Sequence, residues 1–136
     1  MAGPVGAAQA SDAQIRRTVK ADVPKIIKSQ AKILDGLATY EKTHSAKPLI
    51  SASEKQNRVL KALETKLSRE SSSTAAGAKG KADIIKGLKL IVGSNTILIK
   101  HLQSGQPLSA SQQKAAVSAA KKGNSDLNAG GRLLKV

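Results

Sequence analysis

Residues 82–102, ADIIKGLKLIVGSNTILIKHL, constrain the fold more than any other stretch of the chain. Ile84, Leu88, Ile91, Asn95, Leu98 and Leu102 follow one another at alternating steps of four and three, the repeat that lines one face of an α-helix. Ile85, Val92 and Ile99 form a second row beside the first, with Leu90 and Ile97 further round. A stripe that wide faces several neighbours at once, so the segment belongs at the centre of a helical assembly. It is too short for a bilayer: Lys86, Lys89, Lys100 and His101 leave a charge-free core of ten residues, 90–99, where a spanning helix needs about 20. Surface association with an anionic membrane is still open to its basic faces. Asn95 is the one polar member of the main row.

A second row of the same kind precedes it. Val19, Val23, Ile26, Gln30, Ile33, Leu37 and Tyr40 run at four-three spacing, widened by Ile27 and Leu34 and again interrupted by one amide, Gln30. Ser11 and Gln14 stand at the spacing of a capping box, which places the start of this helix at Ser11. Pro24 falls inside the run, removes one backbone hydrogen bond and predicts a kink near residues 21–23 or a division of the helix there. A turn follows at 43–48. Ser51 and Glu54 suggest a second capping box ahead of an apolar stripe of Val59, Leu60, Leu63 and Leu67, with Lys55, Arg58, Lys61, Glu64 and Lys66 on the opposite side and an end near Glu70.

Residues 71–80 are polar and glycine-containing and read as the longest connection, although Ser73 or Thr74 can also cap an earlier start of the next helix. Gly105-Gln106-Pro107 stops the central helix, and Ser109 with Gln112 makes a third capping box. The last helix is the weakest, because its alanines bury little and Gly123, Gly130 and Gly131 lower its propensity, leaving Leu127, Leu133 and Leu134 to hold it.

The expected fold is therefore all-α: an up-and-down antiparallel four-helix bundle made of two helical hairpins, 11–70 and 81–136, with helix 1 kinked near Pro24. At 136 residues one domain is enough, and folding can bury about 70% of the surface of the unfolded chain. Two short echoes support a duplication: Lys20-Ala21-Asp22 recurs as Lys81-Ala82-Asp83, and PLISAS at 48–53 as PLSAS at 107–111. On that plan Gln30 and Asn95 hold similar places in the two long helices. A direct hydrogen bond between them would pin the register of helix 1 against helix 3.

Residues 1–10, MAGPVGAAQA, are small and uncharged and lack helical periodicity. They read as a disordered leader. Ala8-Gln9-Ala10 has the pattern that precedes a signal-peptide cleavage site, so the segment also fits a signal-peptide remnant ahead of a mature start at Ser11.

Chemistry finds little support in the residue set. The chain has no Cys, which removes disulfides, zinc-thiolate sites, iron-sulfur ligation and thiol catalysis. His44 and His101 are two ligands where a stable metal site takes three or four, and Glu41, three residues before His44, is a weak carboxylate partner. There is no G-x-S-x-G, no phosphate-binding glycine loop, and Asp12, Asp22, Asp35 and Asp83 are scattered. The expectation is a protein that is not an enzyme, with no catalytic residues, metal or cofactor.

What remains is charge. With 23 Lys and Arg against 9 Asp and Glu, the net charge is +14, which draws polyanions: a cell-wall polymer, an acidic protein, lipid headgroups or nucleic acid. The candidate anion-binding residues are Arg16, Arg17, Lys20, Lys25, Lys28, Lys32, Lys86 and Lys89. Lys25, Lys28 and Lys32 share one helix face. Few arginines, one tyrosine and no Phe or Trp argue against sequence readout or base stacking, so nucleic-acid binding would be non-specific. The favoured reading is an exported or surface-associated bacterial interaction protein that meets an anionic partner; a cytoplasmic, nucleoid-type protein coating DNA is the alternative.

Overall fold

The computed structural model describes the backbone of residues 3–135 and the side chains of residues 11–135. Four helices account for nearly all of it: α1 (Gly3–Thr43), α2 (Lys47–Arg69), α3 (Ala75–Gln103) and α4 (Ala110–Leu134), with no strand among the described residues. α1 packs on α2, α2 on α3 and α3 on α4, while α1 and α4 touch only sparsely. The molecule is a helical bundle with one loosely closed seam.

Most members of the four-three rows enter the core, although Val23 of α1 is exposed and Ile33, Leu37 and Leu98 are half-buried. Ile84, Leu88 and Ile91 of α3 are buried with Ile15, Val19 and Ile26 of α1, Leu60, Leu63 and Leu67 of α2 and Leu134 of α4. Tyr40, Leu49, Leu102 and Leu108 make a second apolar cluster, and the Tyr40 hydroxyl accepts the backbone N–H of Leu108 at 3.1 Å, tying the α3–α4 connection to the end of α1. Ser29, Gln56, Asn57, Asn95 and Thr96 lie between these clusters and are hydrogen-bonded into one chain, while the fully buried Ser53 hydroxyl has no partner among the described residues. Ser29 Oγ donates to the Ile26 carbonyl (2.7 Å) and accepts from Gln56 Nε2 (3.1 Å). Asn95 Nδ2 donates to Gln56 Oε1 (2.7 Å) and to Asn57 Oδ1 (3.1 Å). Asn57 Nδ2 reaches Thr96 Oγ1 at 3.4 Å, and that hydroxyl donates to the Val92 carbonyl at 2.8 Å.

This layer corrects the proposed Gln30–Asn95 pair. Asn95 is bound by α2, and Gln30 instead donates from Nε2 to Asn124 Oδ1 of α4 at 2.9 Å. The cause lies in the helix order: α3 packs on α2 and α4 and not along α1. A residue on the α3 row therefore meets α2 amides first.

Helix boundaries differ from expectation in three places. α1 is already helical at Gly3 and runs through Pro24 without a break, so Ser11 is not its cap and Pro24 does not divide it. α2 starts at Lys47, with Pro48 in its first turn and no side-chain cap at Ala46; Ser51 and Glu54 lie inside the helix. A proline in the first turn costs no hydrogen bond and starts the helix earlier than the serine does. Part of the expected 71–80 linker is helix, since α3 begins at Ala75 with Thr74 as its cap, Thr74 Oγ1 accepting from the Gly77 N–H at 2.9 Å. The capping box of Ser109 and Gln112 forms as the spacing predicts.

Two of the three α4 glycines, Gly123 and Gly130, prove to be packing residues, while Gly131 faces open space. A methyl group on Gly87 would lie 2.6 Å from the Gly123 carbonyl oxygen, and one on Gly80 would lie 2.9 Å from that of Gly130. The seven-residue spacing on both helices brings the two backbones into contact twice. Low helix propensity is exchanged there for close approach.

Candidate anion-binding groove

Gly36 sets the local geometry of the groove: a methyl group at that position would come 2.8 Å from Leu49 Cα, so α1 and α2 meet backbone to backbone near their connection. Beside that contact, along the outer surface where the two helices meet, lies a hollow whose lining includes Lys25, Lys28 and Lys32 from α1, Lys55 from α2, and the hydroxyl residues Ser29, Thr39 and Ser51. Asp35 is the single acid of this lining among the described residues. Its volume is about 640 Å³ and it is widely open to solvent. All four lysines are exposed.

One of them is positioned by a buried charge. Asp22 is 2% exposed, and its carboxylate has Lys25 Nζ and Lys66 Nζ each at 3.6 Å. Lys25 thus stands at the groove edge with part of its field spent on Asp22, whereas Lys28, Lys32 and Lys55 make no ion pair among the described residues. Three cationic ammonium groups with one nearby carboxylate present a net positive field into a concave surface, where low-dielectric walls concentrate it.

The other sequence candidates lie elsewhere. Arg16, Arg17 and Lys20 precede the groove on α1; Arg16 is half-buried, and Arg17 donates to Gln14 Oε1 at 2.9 Å. Lys86 is exposed on α3, and Lys89 lies 3.8 Å from Glu64 Oε1 and borders a cleft between α3 and α4. Neither joins the α1–α2 groove. The structure therefore unites three of the eight candidates and adds Lys55, which the sequence places only on the charged side of α2. Its signal was the α1–α2 turn: folding 43–48 back on itself brings the first turns of α2 beside residues 28–36.

Asp12, His101 and His44 have structural places. Asp12 accepts the Ser73 backbone N–H (2.8 Å) and the Thr74 hydroxyl (2.7 Å), joining α1 to the cap of α3. The Ser73 N–H above all, then the Thr74 hydroxyl, hold the Asp12 carboxyl below the usual carboxylate range against the opposing effect of burial. His101 bonds the Pro107 carbonyl through Nε2 (2.9 Å) and meets Gln112 Nε2 through Nδ1 (3.2 Å), which fixes the α3–α4 turn with the Nε2–H tautomer. His44 ends α1 with a left-handed backbone, φ 58°, its ring edge-on to Tyr40. Among the described residues no three His, Cys, Asp or Glu side chains converge, and no helix is long and apolar enough to cross a membrane.

Compared with known protein families, with curated proteins and with solved structures, the chain matches none.

Proposed function

We propose that the protein is a non-catalytic, strongly basic interaction module, exported or surface-associated, that holds an anionic polymer such as a cell-wall polymer in the groove between α1 and α2. The observation that carries the reading is the convergence of Lys25, Lys28, Lys32 and Lys55 on one hollow with Asp35 as its only acid among the described residues. From Lys25 to Lys32 the helix rises about 10 Å, so an extended polyanion meets several ammonium groups in succession. The Ala8-Gln9-Ala10 pattern is what favours export.

The same reading includes the finer architecture: an up-and-down antiparallel bundle of two hairpins, with α1 bent at Pro24. Supporting it, Gly36 lies against Leu49 while Asp12 bonds Ser73, and Gly80 lies against Gly130 while Gly87 lies against Gly123, so in each hairpin residue numbers rise on one helix as they fall on the other.

The test is a comparison of two charge-matched variants. One carries Lys→Gln at Lys25, Lys28, Lys32 and Lys55; the other carries Lys→Gln at the exposed Lys86, Lys100, Lys114 and Lys121. With inorganic polyphosphate as the probe, the groove variant should lose at least tenfold more affinity, and its log-log salt slope should fall by about 3. Equal losses in both variants would mean that net charge alone attracts the polymer. A wild-type protein that prefers duplex DNA to polyphosphate at physiological salt would favour the nucleoid-type alternative.

A further inference from the structure

The seam between α1 and α4 is loosely closed, and Val23, Ile27, Leu34 and Val117, four of the five exposed large apolar side chains among the described residues, gather on it, while Ile97 borders the α3–α4 cleft. Ile27 is 61% exposed, Leu34 66% and Val117 47%, and all three line hollows in that seam. The Gln30–Asn124 hydrogen bond crosses the gap, and both residues border the hollow on either side of it. A partner helix lying along the seam would have to break that bridge. A small molecule occupying one side would not.

The hollow on the Leu34 side has a volume of about 400 Å³ and reaches the buried amide layer. That size falls within the range of small-molecule sites, and so does its build of apolar walls with a few placed polar groups. Asn95 is one of its lining residues and only 8% exposed. The direction of its amide is set from outside: Ser29 and Thr96 give their hydroxyl protons to helix carbonyls, so each takes an amide N–H from Gln56 or Asn57. The oxygens of Gln56 and Asn57 are then left to accept Asn95 Nδ2. Asn95 cannot turn over without breaking both bonds, and among the described residues no donor reaches its Oδ1. The cavity is thus offered an acceptor of fixed direction, on a residue that is mostly buried, that no protein donor fills.

Charge narrows the occupant further. Among the described residues the lining holds no cationic side chain to pair with an anion and a single carboxylate, Glu41, on its exposed rim, while the protein's net charge of +14 disfavours a cation. We propose that this cavity binds a neutral amphiphile, its apolar body held between Leu34, Leu37, Leu98 and Val117, and one N–H or O–H group donated to Asn95 Oδ1. The site is separate from the lysine groove and stands or falls independently of it.

N-phenyl-1-naphthylamine is a fitting probe, being neutral, apolar, endowed with a single N–H and fluorescent in apolar surroundings. Titrated with the full chain it should show saturable one-to-one binding. Ala120→Phe, which fills the cavity from α4, should weaken that binding at least tenfold while the circular dichroism spectrum stays helical. The N-methylated probe, lacking the donor, should bind the wild-type protein about three- to tenfold more weakly. Non-saturable fluorescence, unchanged binding by a folded Ala120→Phe variant, or equal affinity for the two probes would each overturn the proposal. The probe comparison uses unmodified protein and so remains decisive if the variant fails to fold.

Discussion

Gly87 and Gly93 stand six residues apart on α3, and alanine at the two positions should move stability in opposite directions. A methyl group at Gly93 meets nothing within 4 Å, so Gly93→Ala gains helix propensity without steric cost, a stabilisation of about 1 kcal/mol. The same propensity gain operates at Gly87. There, however, the new carbon would lie 2.6 Å from the Gly123 carbonyl oxygen and 3.1 Å from Asp126 Cβ, and the first obstacle is backbone rather than a flexible side chain. α3 and α4 must separate, which also loosens the Gly80–Gly130 contact one heptad away. Overpacking of a close contact costs about 1–3 kcal/mol, and a rigid obstacle argues for the upper half, leaving Gly87→Ala about 1–2 kcal/mol less stable than wild type. The two variants should then differ by about 2–3 kcal/mol, or roughly 10 °C in melting temperature for a domain of this size. Urea unfolding followed by far-ultraviolet circular dichroism measures the difference, provided the slope against urea is unchanged. If Gly87→Ala is stabilised as Gly93→Ala is, the α3 and α4 backbones are not in contact and the account of the α4 glycines is wrong.

Two further outcomes test the polar contacts. Asp12→Ala removes both acceptors of the Ser73 N–H and the Thr74 hydroxyl and should cost about 1–3 kcal/mol near neutral pH. Because the folded-state pKa of Asp12 lies below its unfolded value of about 3.8, the stabilisation is fully present above that value and is lost as pH falls through the folded pKa. The wild-type advantage over Asp12→Ala in urea melts should shrink accordingly below pH 4, and an advantage that grew on acidification would contradict the assignment. In a double-mutant cycle, Gln56→Leu and Asn95→Leu should be strongly non-additive, the pair costing at least about 1 kcal/mol less than the sum, because either single change strands the other's polar atoms. The cycle of Gln30→Leu with Asn95→Leu should be additive within about 0.5 kcal/mol, since the two amides serve different partners.

How far the sequence reveals this fold depends on how local each determinant is. In the α3 row Ile84, Leu88, Ile91, Asn95 and Leu102 are buried as the spacing implies and Leu98 is half-buried, because a four-three repeat is a property of one helix alone. Which helix a face will meet is not a property of one helix. Gln30 and Asn95 have equivalent places in their own rows, yet α1 and α3 do not pack along each other, so the inferred bond divides into one to Asn124 and others to Gln56 and Asn57. Ile27 and Leu34 show the same limit. They extend the α1 stripe as written, but the neighbour that would cover them, α4, stands off, and they remain mostly exposed.

The candidate groove was partly legible for the same reason. Lys25, Lys28 and Lys32 recur on one helical face and can be grouped from spacing; Lys55 joins them only through the turn that lays α2 against α1. Glycine carries the opposite kind of error. Judged by propensity, Gly123 and Gly130 weaken α4, and the physics of an isolated helix says no more than that. Set beside Gly80 and Gly87, their common spacing of seven residues becomes meaningful, since two helices can touch at backbone distance repeatedly only where both lack side chains at matching intervals. α4, low in helix propensity, is therefore held against α3 at Gly123 and Gly130. It packs closely on α3 and barely touches α1, which leaves a seam with Asn95 in its lining.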